Sequence, residues 1–160
     1  MVQIELLLTA LALAGLSILF GASMYDALVL APNMRGGPDV LEHGRLFMSR
    51  ATPANLFRIA SPATQVLLVL TLIATWHIEQ CRWLVGAALL ALVLADVITF
   101  RFHYPRNHLM FDAPTTIDAN VLDTAARQWA AGNMVRVALV VFGWFCALLA
   151  VSMVVLVAYP

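Results

Sequence analysis

DVITFRFHYPRNHLMF, Asp96 to Phe111, begins inside an apolar run long enough to cross a bilayer and ends outside it. It carries one acid (Asp96), two arginines (Arg101, Arg106), two histidines (His103, His108), and Pro105 followed by Asn107. In an α-helix Asp96, Thr99 and His103 fall on one face, because positions i, i+3 and i+7 share a stripe. Pro105 has no N–H to give and disfavours helix at Tyr104, so the spacing predicts a helix that stops there and opens into a loop. One span thus delivers a polar cluster to its own end. Ionisable groups at that depth are costly and point to a functional site.

Three more apolar runs lie outside this stretch. The spans are expected at about 4–31, 54–77, 83–104 and 129–159, with polar loops at 32–53 and 105–128. Each span is long enough for a hydrocarbon core of roughly 30 Å. The chain is 62% hydrophobic and 11% charged, with a mean hydropathy of +0.89. A soluble fold of this size has no core able to hide so many apolar side chains. The expected class is all-α: one membrane-embedded domain over residues 1–160, an up-down four-helix bundle.

Formal net charge is zero, which gives no reason to expect nucleic acid as a partner. The expected surroundings are the lipid bilayer, with a homo-oligomer or a larger membrane complex as further partners. The opening MVQIELLL lacks the basic start of a signal peptide and reads as a retained span. Ala10, Ala14, Gly15, Gly21 and Ala22 allow close helix contact there. Cys81 and Cys146 form no CxxC pair and are expected to stay free. Within the first loop, around Gly36-Gly37, a short interfacial helix is expected at Leu41 to Met48. Asp118 or Asn120 is expected to cap the helix that runs into the last span.

All nine basic residues are arginine, and only Arg82 falls on the side of the short second turn. The positive-inside rule then places both long loops in the cytoplasm and both termini outside, in a bacterial inner membrane. A faint repeat also runs through the chain. Asp26, Pro32-Asn33 and Asn55-x-x-Arg58 in the first half echo Asp96, Pro105-x-Asn107 and Asn133-x-x-Arg136 in the second. Two parallel helical-hairpin repeats would bring Asp26, Asp96, Asn55, Arg58 and Arg136 into one polar band.

Pro105 and Asn107 after a third span, then Trp129, Asn133 and Arg136 opening a fourth, resemble the DUF1772 family, which includes anthrone oxygenase-like proteins. The resemblance covers essentially the whole chain. It implies a small integral membrane protein, and its better-known members oxidise an anthrone methylene to a quinone with O2 without a conventional redox cofactor.

The residues suit that chemistry. Trp129, Asn133 and Arg136 stand at i, i+4 and i+7 on one face and offer an indole N–H, an amide and a guanidinium fork. Such donors fit a developing enolate or peroxide oxygen. His103 is the candidate base, with Asp96 behind it to orient the ring or share its proton. The candidate catalytic set is His103, Asp96, Asn107, Trp129, Asn133 and Arg136, acting on an apolar aromatic or enolisable small molecule. Plainer readings compete: the acids and arginines as structural ion pairs, Trp129 as an interfacial aromatic, the chain as a non-catalytic carrier or subunit. A metal reading places copper or haem on His43, His103 and His108, with nearby methionines as thioether donors, although no tight HxH spacing occurs. No cofactor is expected on the first reading.

Overall fold

The computed structural model describes residues 2–34, 38–112 and 118–158; Arg35, Gly36-Gly37 and the loop residues 113–117 lie outside the described residues. The described chain is all-helical. Helix α1 (Val2–Tyr25) is prolonged by a π-helical turn (Asp26–Leu30) and a last turn (Ala31–Asn33). Helices α2 (Pro38–Phe47), α3 (Pro53–Ala74) and α4 (Glu79–Ile98) follow. Beyond α4 the chain winds on through a π-turn (Thr99–His103), an α-turn (Tyr104–Asn107) and a second π-turn (His108–Asp112). Helix α5 (Ala119–Ala158) closes the bundle. Four helices are long and apolar enough to cross a membrane.

Local chemistry explains the boundaries. Thr52 is extended (φ −117°, ψ 159°) and hands over to Pro53, whose missing N–H costs nothing in a first turn. Ile78 is extended before Glu79, an acid placed favourably at a helix N-terminus. The cap of α5 is Asp118: its Oδ1 accepts the Asn120 N–H at 2.7 Å, and its carbonyl accepts from Val121 and Leu122. In the first loop, α2 starts three residues before the expected Leu41.

Pro105 does not end its helix, which corrects the expected loop at 105–128. Winding continues to Asp112, and α5 begins at Ala119. A proline ring clashes with the carbonyl four residues back. A widened turn relieves that clash: Tyr104 N–H reaches back five residues to the Thr99 carbonyl. The same device precedes Pro32, where Ala31 N–H bonds to the Asp26 carbonyl. Each wide turn begins six residues before its proline. The two halves therefore do repeat in shape, but counting back from the prolines pairs Asp26 with Thr99, and Asp96 with Ser23.

Helix α1 packs on α3 and α5, and α4 packs on the same two, which leaves α1 and α4 on one diagonal. The main core includes Leu16, Leu19, Leu68, Val85, Leu92 and Val154. Close approach is set by small residues: a Cβ on Gly143 would come 3.3 Å from the Ala88 carbonyl oxygen. A second core, with Met34, Leu41, Met110, Leu122 and Trp129, holds α2 against the extension of α4 and the start of α5. Arg45 Nε fastens it by donating to the Met110 carbonyl at 2.9 Å. The outer faces are as apolar as the interior: Ile59, Ile73, Leu90 and Phe142 are all exposed. That pattern is compatible with an integral membrane protein.

Candidate functional site

The centre of the polar band is one ion pair between helices far apart in sequence. Arg136 Nη2 on α5 donates to Asp26 Oδ2 on the α1 extension at 2.5 Å. Both side chains are buried, and the guanidinium lies 4.6 Å from the centroid of the Phe57 ring on α3. Coulomb attraction is strong in such surroundings, and removing either partner strands a charge.

Beside the pair is a cavity of ≈ 10 Å³, lined in part by Ser23, Phe57, Ser61, Asp96, Thr99 and Arg136. That space holds about one water. Across it, Asp96 Oδ2 accepts hydrogen bonds from Ser61 Oγ at 2.7 Å and Gln65 Nε2 at 2.6 Å. Asp96 therefore belongs to the α3–α4 contact. It does not orient His103, whose ring has the Gly132 backbone, not a carboxylate, within hydrogen-bonding reach. The π-turn between them is the reason: its wider winding breaks the shared face that a regular α-helix would give Asp96 and His103.

His103 instead faces α5. Its ring meets Trp129 edge to face, with centroids 5.7 Å apart, and meets Phe102 at 5.8 Å. Gly132 lies against both rings. A Cβ there would fall onto the Phe102 ring and come 3.4 Å from His103 Cε1. Trp129, Gly132, Asn133 and Arg136 make a single stripe on α5, so one face presents aromatic edge, bare backbone, amide and guanidinium in turn.

Unsatisfied polar atoms concentrate here. Both amide atoms of Asn133, Arg136 Nε, Ser23 Oγ and Asn107 Oδ1 are buried without a partner, and so is one ring nitrogen of His103 once the other meets the Gly132 backbone. Buried polar atoms are nearly always paired, so each of these calls for an explanation. A potential base, an amide and a guanidinium N–H, unengaged on adjoining faces, form a site able to take a proton and to stabilise a new oxyanion.

Asn55 and Arg58 stay out of the band. Both are exposed on α3, whose inward stripe is Phe57, Ser61, Thr64, Leu68, Thr71 and Thr75. Arg58 sits one residue off that stripe, about 100° around the helix. His43 is exposed on α2 with Nδ1 2.7 Å from the Asp39 carbonyl oxygen, and His108 is exposed as well. Among the described residues no three of His, Cys, Asp and Glu converge as a metal site, so His43, His103 and His108 do not meet. Cys81 and Cys146 are free and buried.

No family model, curated protein or solved structure matches the chain.

Sequence reasoning passed over Ser23, Ser61, Gln65, Phe102 and Gly132. A usable signal exists for α3, where Ser61, Thr64, Thr71 and Thr75 recur at helical spacing through an apolar run. It passed over the far end of the bundle too. Glu5 is buried there with Oε2 unpartnered, and His77 Nε2 lies 3.8 Å from its Oε1.

Proposed function

We propose that the protein is a small integral membrane oxidoreductase, similar in kind to the anthrone oxygenase-like proteins of the DUF1772 family, oxidising an apolar aromatic or enolisable substrate with O2. One observation carries the reading: the buried His103 imidazole, with one nitrogen left open once the other meets the Gly132 backbone, stands against the α5 stripe that bears the unpartnered amide of Asn133 and Nε–H of Arg136.

In this reading His103 takes a proton from an activated methylene. Asn133 and Arg136 donate to the oxygen on which the enolate charge gathers. The carbanion carbon of the enolate bonds to O2 and reduces it to a hydroperoxide, which receives the proton held by His103. Loss of water then breaks the O–O bond and the second C–H bond and leaves a carbonyl. One CH2 group and one O2 give one C=O and one H2O. Trp129 positions the imidazole edge to face. Asp96 holds α3 to α4 and stands outside the proton path.

The substrate comes from the lipid on the long-loop side, which the arginine distribution places in the cytoplasm of a bacterial cell. A groove of ≈ 470 Å³ is present there, lined in part by Pro105, Leu109, Val121 and Ala125. That is one to three turns nearer the loops than the Trp129–Arg136 face. Phe102 touches both His103 and Arg106 of the groove wall, so in this reading its ring moves to admit the substrate.

Oxygen uptake by the detergent-purified protein with an anthrone tests this. Asn133→Ala is expected to lower the rate by about 10²–10³-fold, and His103→Ala by about 10²–10⁴-fold. Full activity in His103→Ala removes the base. A second reading, a carrier or non-catalytic subunit, is favoured by the Asp26–Arg136 pair, which by itself suits a structural lock; a wild type that consumes no O2 with any such substrate supports it. Metal content and the visible spectrum of the same preparation separate both readings from a copper or haem protein.

A further inference from the structure

Arg106 is held in an unusual way. Its guanidinium carbon lies 3.5 Å from the Phe102 ring centroid, its Nη1 donates to the Phe102 carbonyl at 2.8 Å, and its Nε and Nη2 donate to Gln128 Oε1 at 3.1 and 2.8 Å. Every one of these partners is neutral. A guanidinium has five N–H donors, and three are used here. The two that are left sit one on each terminal nitrogen and can be offered to the oxygens of an oxyanion.

Arg106 lines the ≈ 470 Å³ groove, whose other walls are the apolar Pro105, Leu109, Val121 and Ala125 with the polar Asn120, Thr124 and Gln128. A fixed positive charge beside an apolar trough fits an amphiphile with an anionic head. Depth identifies which kind. At the other end of α4, Arg82 lies between Trp76 and Trp83, 5.1 and 5.5 Å from their rings, the pattern of an interfacial aromatic belt. Arg106 follows about 24 residues later, or roughly 36 Å along the helix. A hydrocarbon core of roughly 30 Å separates the two levels, so Arg106 stands at the opposite headgroup layer.

We infer that this groove is a binding site for one anionic phospholipid, its phosphate taken by the two unused N–H groups of Arg106 and its glycerol and upper chain by the trough. The site shares the groove by which the proposed substrate enters, but its argument uses none of the catalytic residues of the oxygenase reading.

Native mass spectrometry of the full chain with added phosphatidylglycerol or phosphatidylcholine tests it. The wild type is expected to retain one phosphatidylglycerol more tightly than phosphatidylcholine. Arg106→Gln is expected to weaken phosphatidylglycerol retention by about tenfold or more while phosphatidylcholine is unchanged. Thr124→Trp, which fills the trough from an exposed helix position and keeps the Arg106 charge, is expected to weaken phosphatidylglycerol retention as well. Equal retention of the two lipids by the wild type overturns the inference. So does phosphatidylglycerol held by a folded Arg106→Gln protein as tightly as by wild type. Inorganic phosphate is expected to leave the bound lipid in place, and its displacing the lipid fully makes the free anion the occupant instead.

Discussion

At the scale of single residues, the two N-x-x-R motifs part company. Arg136 is buried against Asp26, while Arg58 is exposed. Replacing Arg136 by Ala leaves a buried carboxylate without its counter-ion, at an expected cost of about 3–5 kcal/mol. Arg58→Ala is expected to stay within about 0.5 kcal/mol of wild type. Thermal unfolding of both variants in one detergent checks the contrast, and equal losses would show that the pair does not lock the bundle. The sequence alone could not rank the two arginines, because identical tetrapeptide patterns carry no information about which way a helix faces. Only Phe57, Ser61 and Thr64, packed inward, turn Arg58 away.

At the scale of elements, the prolines shape the site without ending a helix. Pro105 sits just after a wide turn, and His103 is the last residue of that turn. With Ala at position 105 the clash that favours the π-turn is gone, and regular winding becomes available. The expected result for Pro105→Ala is a folded, equally helical protein in which His103 loses its seat on Trp129 and oxygen uptake falls. Circular dichroism read with the uptake assay distinguishes this from unfolding, and unchanged uptake would mean that the wide turn does not place the ring. The α5 side of the same contact gives a second prediction. Gly132→Ala puts a methyl into the Phe102 ring, and overpacking of this kind costs about 1–3 kcal/mol. A melting point unchanged by Gly132→Ala would show that Phe102 yields freely.

At the scale of the whole molecule, the proposed orientation, with both long loops cytoplasmic, can be tested by labelling. Ser49, before the start of α3, and Gln80, in the first turn of α4, are both exposed and flank α3 on opposite sides. The two native cysteines are buried and give little background. In intact cells an impermeant maleimide is expected to label Gln80→Cys and to leave Ser49→Cys unlabelled until the membrane is opened. The reverse pattern would invert the orientation and show that several arginines stand where they do because of the site, not because of topology.

The sequence by itself determined that the chain is helical with four apolar spans, since length and hydropathy are properties of composition and both are written along the chain. It also singled out Asp26, His103, Asn133 and Arg136, because polar side chains in an apolar run are conspicuous wherever they face. What it could not carry was rotation about each helix axis. A single widened turn moves every later residue around the axis, and it separated Asp96 from His103 although their spacing in an α-helix shares a face. Whether Pro105 stops a helix or merely widens it depends on what packs beyond it: Met110 seated in the second core and Arg106 bound to Gln128 hold the winding in place. Those contacts join positions far apart in sequence, so only the tertiary structure decided them.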